Sequence, residues 1–251
     1  KLLDTIIDMM MTEVQNEIIS VNEMEQADIV LDLSVNTDKN PYHITEKIQN
    51  GGSIVYDPLV NYINMNIGSV TLATSNTIIR QSKSYVNIPS GKLNISLVSG
   101  VLMGNSGVLY YDELVTSGTK YTLDGIPLVL DGGGTYTSEL GIFDDDNGLF
   151  IKFSLSDITG VFTDQFSIVK RVKQGDATVV DTIVHQSDWN VDTCDTFGPS
   201  GIRLKAYEMN TFIYRCGTLP KTFMQVGVMH EGAAILIHEF NDPEYFVKLP
   251  V

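Results

Sequence analysis

The sequence predicts a mainly β protein, an antiparallel β-sandwich or barrel body preceded by an N-terminal coiled-coil-like helix. Three observations carry that expectation. Residues 1–26 contain no Gly or Pro and place an apolar side chain every three or four positions. From Ala27 onward the chain becomes short β-type runs divided by Gly, Asn, Asp and Ser, most at spacings of about ten residues. No strand–helix–strand alternation occurs, which argues against a parallel doubly wound sheet.

In the arm, Leu3, Ile7, Met10, Val14, Glu17, Val21 and Met24 advance alternately by four and three, the coiled-coil period. Glu17 is a polar defect in that seam. A second register runs through Ile7, Met11, Val14, Ile18 and Val21 and places Asp4 and Glu25 in the seam instead. The registers overlap, so the apolar stripe is wider than a two-position seam and leaves strand number open. Leu3, Ile7, Met10, Val14, Ile18 and Val21 are the candidate oligomerisation residues. A helix this short is marginal alone in water and needs a partner surface, either other chains or its own domain. At about 1.5 Å per residue it would extend roughly 39 Å, enough for a stalk. The apolar start, interrupted by Asp4 and Asp8, is not read as a secretory signal.

The body begins with a strand-like run over 27–35 and a polar stretch turning at Asn40-Pro41. A short helix is expected over 43–49, capped by Asn50, Gly51 and Gly52. Strand-like runs follow at 53–56, 63–73, 77–80, 84–88, 93–98, 107–111, 120–123 and 126–130. A hairpin joins 139–143 to 149–155. Further strands are expected at 162–172, 177–185, 202–207, 211–216, 222–229 and 233–240. The division adopted is an assembly arm (1–26), a β-rich domain (27–172), and a second β-rich domain or continuation of the first (173–251). The loop 187–200, with the only tryptophan, Trp189, is the other candidate boundary.

A chain of 251 residues, 43% hydrophobic, can bury a sizeable core. Sixteen Lys and Arg against thirty-one Asp and Glu give a net charge of −15, a field that repels nucleic acid and anionic bilayers. No apolar run reaches 18 residues, so no helix is expected to span a membrane. Cys194 and Cys216 are the only cysteines, and two buried free thiols is the preferred reading.

The densest acidic cluster is Asp144-Asp145-Asp146-Asn147-Gly148. Its order resembles a calcium loop, but Ser154 and Leu155 stand where the closing Glu belongs. Flanking strands make it a hairpin tip, with Asn-Gly supplying positive φ. His230-Glu231 and His238-Glu239 suggest a metalloprotease fragment, yet zincins need histidines four apart on a helix. On one strand, eight residues separate them by roughly 26 Å, too far to share an ion. Neither histidine pair, nor Gly104–Gly107, nor Gly132–Gly134 completes a nucleophile elbow or phosphate loop, and no cofactor motif is present. Paired carboxylates for glycoside hydrolysis are available in any acidic chain. Asn94-Ile95-Ser96 is a glycosylation sequon. Tyr110, Tyr111, Tyr121, Tyr136, Trp189, Tyr207 and Tyr214 are aromatic candidates for stacking on sugars, with core packing the commoner use.

The plan of helical arm (Leu3–Met24) followed by a β-hairpin series (Ser53–Leu155) resembles virion appendage proteins of tailed bacteriophages, such as head or tail fibres and baseplate-associated adhesins. The resemblance covers the chain in style and rests on no diagnostic motif. It implies a homotrimer in the virion, contacts with other virion proteins, and host attachment through a glycan. It assigns no catalytic, cofactor or metal residues. The alternatives are a monomeric adhesin or carbohydrate-binding sandwich whose arm packs on its own domain, and a polysaccharide-degrading enzyme.

Overall fold

The computed structural model describes residues 18–19, 39, 41–50, 52–59, 62–66, 77–83, 85–86, 93–102, 135–158, 161–174, 178–217, 223–240 and 249–250. Its strands are β1 (Ile18–Ile19), β2 (Ile44–Gln49), β3 (Ser53–Asp57), β4 (Tyr62–Asn66), β5 (Thr77–Ser82), β6 (Tyr85–Val86), β7 (Leu93–Gly100), β8 (Thr135–Phe143), β9 (Gly148–Ile158), β10 (Val161–Gln174), β11 (Thr178–His185), β12 (Asn210–Gly217), β13 (Phe223–His230), β14 (Ala233–Phe240) and β15 (Leu249–Pro250). One 3-10 turn, Gln186–Asp188, is the only helical element among the described residues. The protein is mainly β, and every strand pair is antiparallel.

Two larger sheets share one core. The first has strand order β1-β14-β13-β12-β7 and the second β11-β10-β9-β8. Alternation of side chains along each strand sends one face of each sheet inward. Phe212, Tyr214, Cys216, Met224, Val226 and Val228 point from the first sheet into a cluster with Ile142, Leu149, Ile151, Phe153, Phe166 and Ile168 of the second. Fully burying an aliphatic or aromatic side chain of this size contributes about 1.5–3 kcal/mol, so this seam is the main cohesive element. The smaller pairs are β2–β5, β3–β4 and β6–β15.

Most strand expectations that fall on described residues are met, and two local expectations are corrected. Residues 44–49 form strand β2, not a helix, because Glu46 pairs with Arg80 and Ile48 with Ile78 on β5, a partner distant in sequence. Asn50 does take the left-handed φ of +62°, but it follows a strand. Residues 202–207 form no strand. Leu204 and Ala206 are nevertheless buried in the core, and the backbone bonds irregularly: Leu204 N–H donates to the Cys194 carbonyl, while the Ile202 and Ala206 carbonyls accept from the Thr196 and Leu102 N–H groups. Of the arm, only Ile18–Ile19 is described, and it is extended rather than helical: Ile18 pairs with Ile235 and Ile19 with Ala234. Two β-branched residues suit a sheet edge. Leu3, Ile7, Met10, Val14 and Val21 lie outside the described residues, as do the runs 107–111, 120–123 and 126–130.

The boundary expected at 173 falls at the end of β10, whose second half, Ser167–Gln174, pairs with β11. Residues on both sides of it feed the same core.

Candidate functional site

The most elaborated part of the described surface is the connection between β11 and β12, residues 186–209. It is anchored by a bulge. Val226 pairs with His238 and the next residue, Gly227, with Leu236, so Ile237 is an extra residue on β14. A bulge of this kind re-aims neighbouring groups. The Ile237 carbonyl accepts from the N–H groups of Val191 (3.3 Å) and Asp192 (3.1 Å). His238, buried, accepts at Nδ1 from the Asn190 N–H at 3.2 Å and meets the Phe240 ring edge-on at 4.5 Å. Burial lowers the His238 pKa below 6.5, with Glu239 pulling weakly the other way.

Two aspartates then fold the loop. Buried Asp192 accepts through Oδ1 from Cys194 N–H (2.8 Å) and through Oδ2 from Ser200 N–H (2.7 Å). Asp195 Oδ1 accepts from Thr193 Oγ1 (2.7 Å), Phe197 N–H (2.9 Å) and Gly198 N–H (3.2 Å). Those bonds, the Thr193 hydroxyl first, lower the Asp195 carboxyl pKa. Asp and Ser side chains compete with regular backbone pairing in this way, which is why the stretch is a shaped loop. Thr196 sits at φ +83°, an uncommon state for a β-branched residue. Phe197 stands 94% exposed at the tip.

Between this loop and the β13–β14 hairpin lies an open groove of about 650 Å³, bordered by Ser200, Ile202, Arg203, Lys205, Glu208, His230, Glu231 and Ile235. Lys205 Nζ and Glu208 Oε1 are paired at 2.9 Å. The groove is shallow and mixed in charge, a shape suited to contact with an extended or flat ligand more than to enclosing a small substrate.

Asp144–Gly148 is a hairpin tip: Asp144 Oδ1 accepts from the N–H groups of Asp146 (2.8 Å) and Asn147 (2.7 Å). Asp146 pairs with Lys173 at 2.7 Å, and Gly148, not Asn147, supplies the positive φ. His230 and His238 are not on one strand. They lie on β13 and β14, joined by a two-residue turn at Glu231 (φ +50°) and Gly232 (φ +83°). Both central residues have the positive φ of a type I′ hairpin, a Glu-Gly signal that sequence reading passed over. Among the described residues, no group of three or more His, Cys, Asp or Glu is placed to hold a metal ion.

Cys194 and Cys216 are both buried and unbonded to each other. Desolvation pushes each thiol up to about 12, with Asp192 adding to the effect at Cys194. At neutral pH neither is a thiolate nucleophile. Ser167 Oγ and His185 Nδ1 do approach to 3.1 Å as a cross-strand pair. Ser167 lies mid-strand, with its neighbours paired on both sides, so no free backbone N–H groups converge there to stabilise an oxyanion. Trp189 and Tyr214 are core residues, Trp189 Nε1 donating to the Val184 carbonyl at 3.2 Å. Tyr207 is half-buried with Lys205 Nζ 6.0 Å from its ring centroid. Tyr110, Tyr111 and Tyr121 lie outside the described residues, and of Tyr136 only the backbone is described. Asn94 and Ser96 of the sequon lie on β7, the Ser96 hydroxyl donating to Asn94 Oδ1 at 3.0 Å.

No protein-family model matches the chain, and neither a similar curated protein nor a similar solved structure was found.

Proposed function

We propose that this protein is a non-enzymatic assembly component, a virion structural protein of the fibre or appendage kind, that associates through its N-terminal arm and presents its β-body outward, with glycan contact as its attachment chemistry. The observation that supports it best is β1. Two arm residues add a strand to β14, so arm and body are complementary at a sheet edge. Addition of a strand is a common way for one chain to seat on another, and exchange of an identical element between copies costs little. The polar groups most suggestive of catalysis are engaged in structure: Asp192 and Asp195 shape a loop, and His238 anchors it.

The test is the solution mass of the full chain and of an Ile7→Asp/Val14→Asp variant by light scattering. The expected result is a multimer, three copies favoured, that loses subunits in the variant. A monomeric full chain overturns the reading.

One observation favours a second reading: β1 lies on β14 of its own chain. A monomeric carbohydrate-binding β-body with its arm folded back would keep the same mass in both proteins and keep any glycan affinity in the variant.

A further inference from the structure

At the far side of the second sheet from β8, strand β11 ends the order β11-β10-β9-β8. All eight of its residues except Val184 are exposed. Val179 (40%), Val180 (38%) and Ile183 (51%) place apolar surface along that margin. Edge strands are usually blunted by Lys, Pro, a bulge or shortness, because their outward N–H and C=O groups invite another strand. β11 carries none of these. It contains no Lys or Pro, and its eight-residue register against β10 is unbroken.

We propose that β11 is a docking edge for a second copy of this chain, joined antiparallel about a two-fold axis at Thr182, so that two four-stranded sheets become one. This goes beyond the arm-mediated assembly proposed above and does not depend on it.

Charge selects the occupant. The chain as a whole carries −15, so two copies repel over most of their surface. Thr178–His185 holds one formal charge, Asp181, and it is already neutralised by Arg171 of the neighbouring strand through two hydrogen bonds of 2.8 and 2.9 Å. The edge is therefore a stretch where two copies can meet without like-charge cost.

Symmetry selects the register. A two-fold axis perpendicular to an antiparallel pair must pass between a residue and its own copy, since paired side chains share one face. Centring on Asp181 sets two carboxylates opposite each other, which is destabilising. Centring on Thr182 overlaps 179–185, setting Thr182 against Thr182, Val180 against Val184 and Asp181 against Ile183. Thr–Thr and β-branched pairs are favourable cross-strand neighbours. Val184 already packs against the core, so the Val180–Val184 contact extends that core across the junction.

Thr182→Cys in the full chain tests both the pairing and the register. Directly opposed residues have Cβ atoms about 4.5–5.5 Å apart, near the span a disulfide bridges. Cys194 and Cys216 are buried and do not compete. Under mild oxidation, T182C is expected to form a covalent dimer, and Thr178→Cys, displaced from the axis, is not. Adding Val180→Lys/Ile183→Lys to T182C is expected to abolish the dimer, with circular dichroism unchanged because both positions are exposed. The proposal is overturned if folded T182C stays monomeric, if T178C cross-links equally, or if the lysine variant cross-links undiminished. Cross-linking that survives Ile7→Asp/Val14→Asp separates this edge from the arm.

Discussion

The hydroxyl of Tyr214, on β12, donates to the carbonyl oxygen of Leu140 at 2.5 Å, on a strand of the opposite sheet. The phenol oxygen of Tyr214 in turn accepts from the Ile151 N–H at 3.2 Å. Leu140 and Ile151 are partners across β8 and β9, so one phenol engages both strands of a pair. Its ring is completely buried, and desolvation drives the phenol pKa far above its ordinary value. A buried hydroxyl with both donor and acceptor capacity used gives the core a directional contact that apolar packing lacks.

Tyr214→Phe is accordingly expected to destabilise the fold by about 1–3 kcal/mol, the cost of leaving buried backbone groups short of a partner. Urea unfolding checks this. A midpoint equal to that of the parent protein would show that the two backbone groups simply satisfy each other.

His238 predicts an acid-side loss of stability. Its folded pKa lies below 6.5, so between that folded value and 6.5 the unfolded chain binds more protons than the native one. Stability therefore rises with pH through that window, is fully present above 6.5, and falls as pH drops towards the folded value. His238→Gln should flatten this part of the profile. Unfolding free energy measured at intervals from pH 7.5 to about pH 5 tests the slope; an unchanged slope in the variant would assign it to other groups.

Two glycines of positive φ should respond differently to alanine. At Gly148 an added Cβ would sit 2.1 Å from Phe143 Cβ and 2.8 Å from the Ile142 carbonyl oxygen. At Gly232 nothing lies within 4 Å, and only the φ of +83° opposes a side chain. Gly232→Ala should cost about 1–2 kcal/mol, the left-handed penalty alone. Gly148→Ala adds overpacking, typically about 1–3 kcal/mol more, and should lower the melting temperature further. Equal shifts in the two variants would refute the steric account.

The thiols report on the 186–209 loop. With both cysteines buried and their pKa values near 12, the native protein should react with a thiol reagent at pH 8 only as fast as it opens. Asp192→Ala removes the acceptor for Cys194 N–H and Ser200 N–H. It should speed modification of Cys194 selectively, leaving Cys216, in the β12 ladder, slow. Peptide mass mapping after timed labelling distinguishes the two sites, and parallel acceleration of both would mean global unfolding.

What the sequence determined by itself was the class and most of the strands. Alternation of apolar and polar residues and the Gly, Asn and Asp between runs are local signals, and they placed β8 to β14 and the Asp144–Gly148 tip to within a few residues. Two buried free thiols were expected because a chain this long needs no disulfide staple, and both cysteines are buried and unbonded. Tertiary structure alone decided the rest. Residues 44–49 are a strand because β5 lies alongside, a contact that no short window contains. Ile18 fits a helical stripe in sequence, yet it pairs with Ile235 at a sheet edge, as its neighbour Ile19 does with Ala234. Ile237 and His238 reach the loop through a bulge, whose extra residue breaks the very period used to read strands. Which strand ends a sheet is likewise a property of topology, so the exposed margin of β11 could not be seen from its own eight residues.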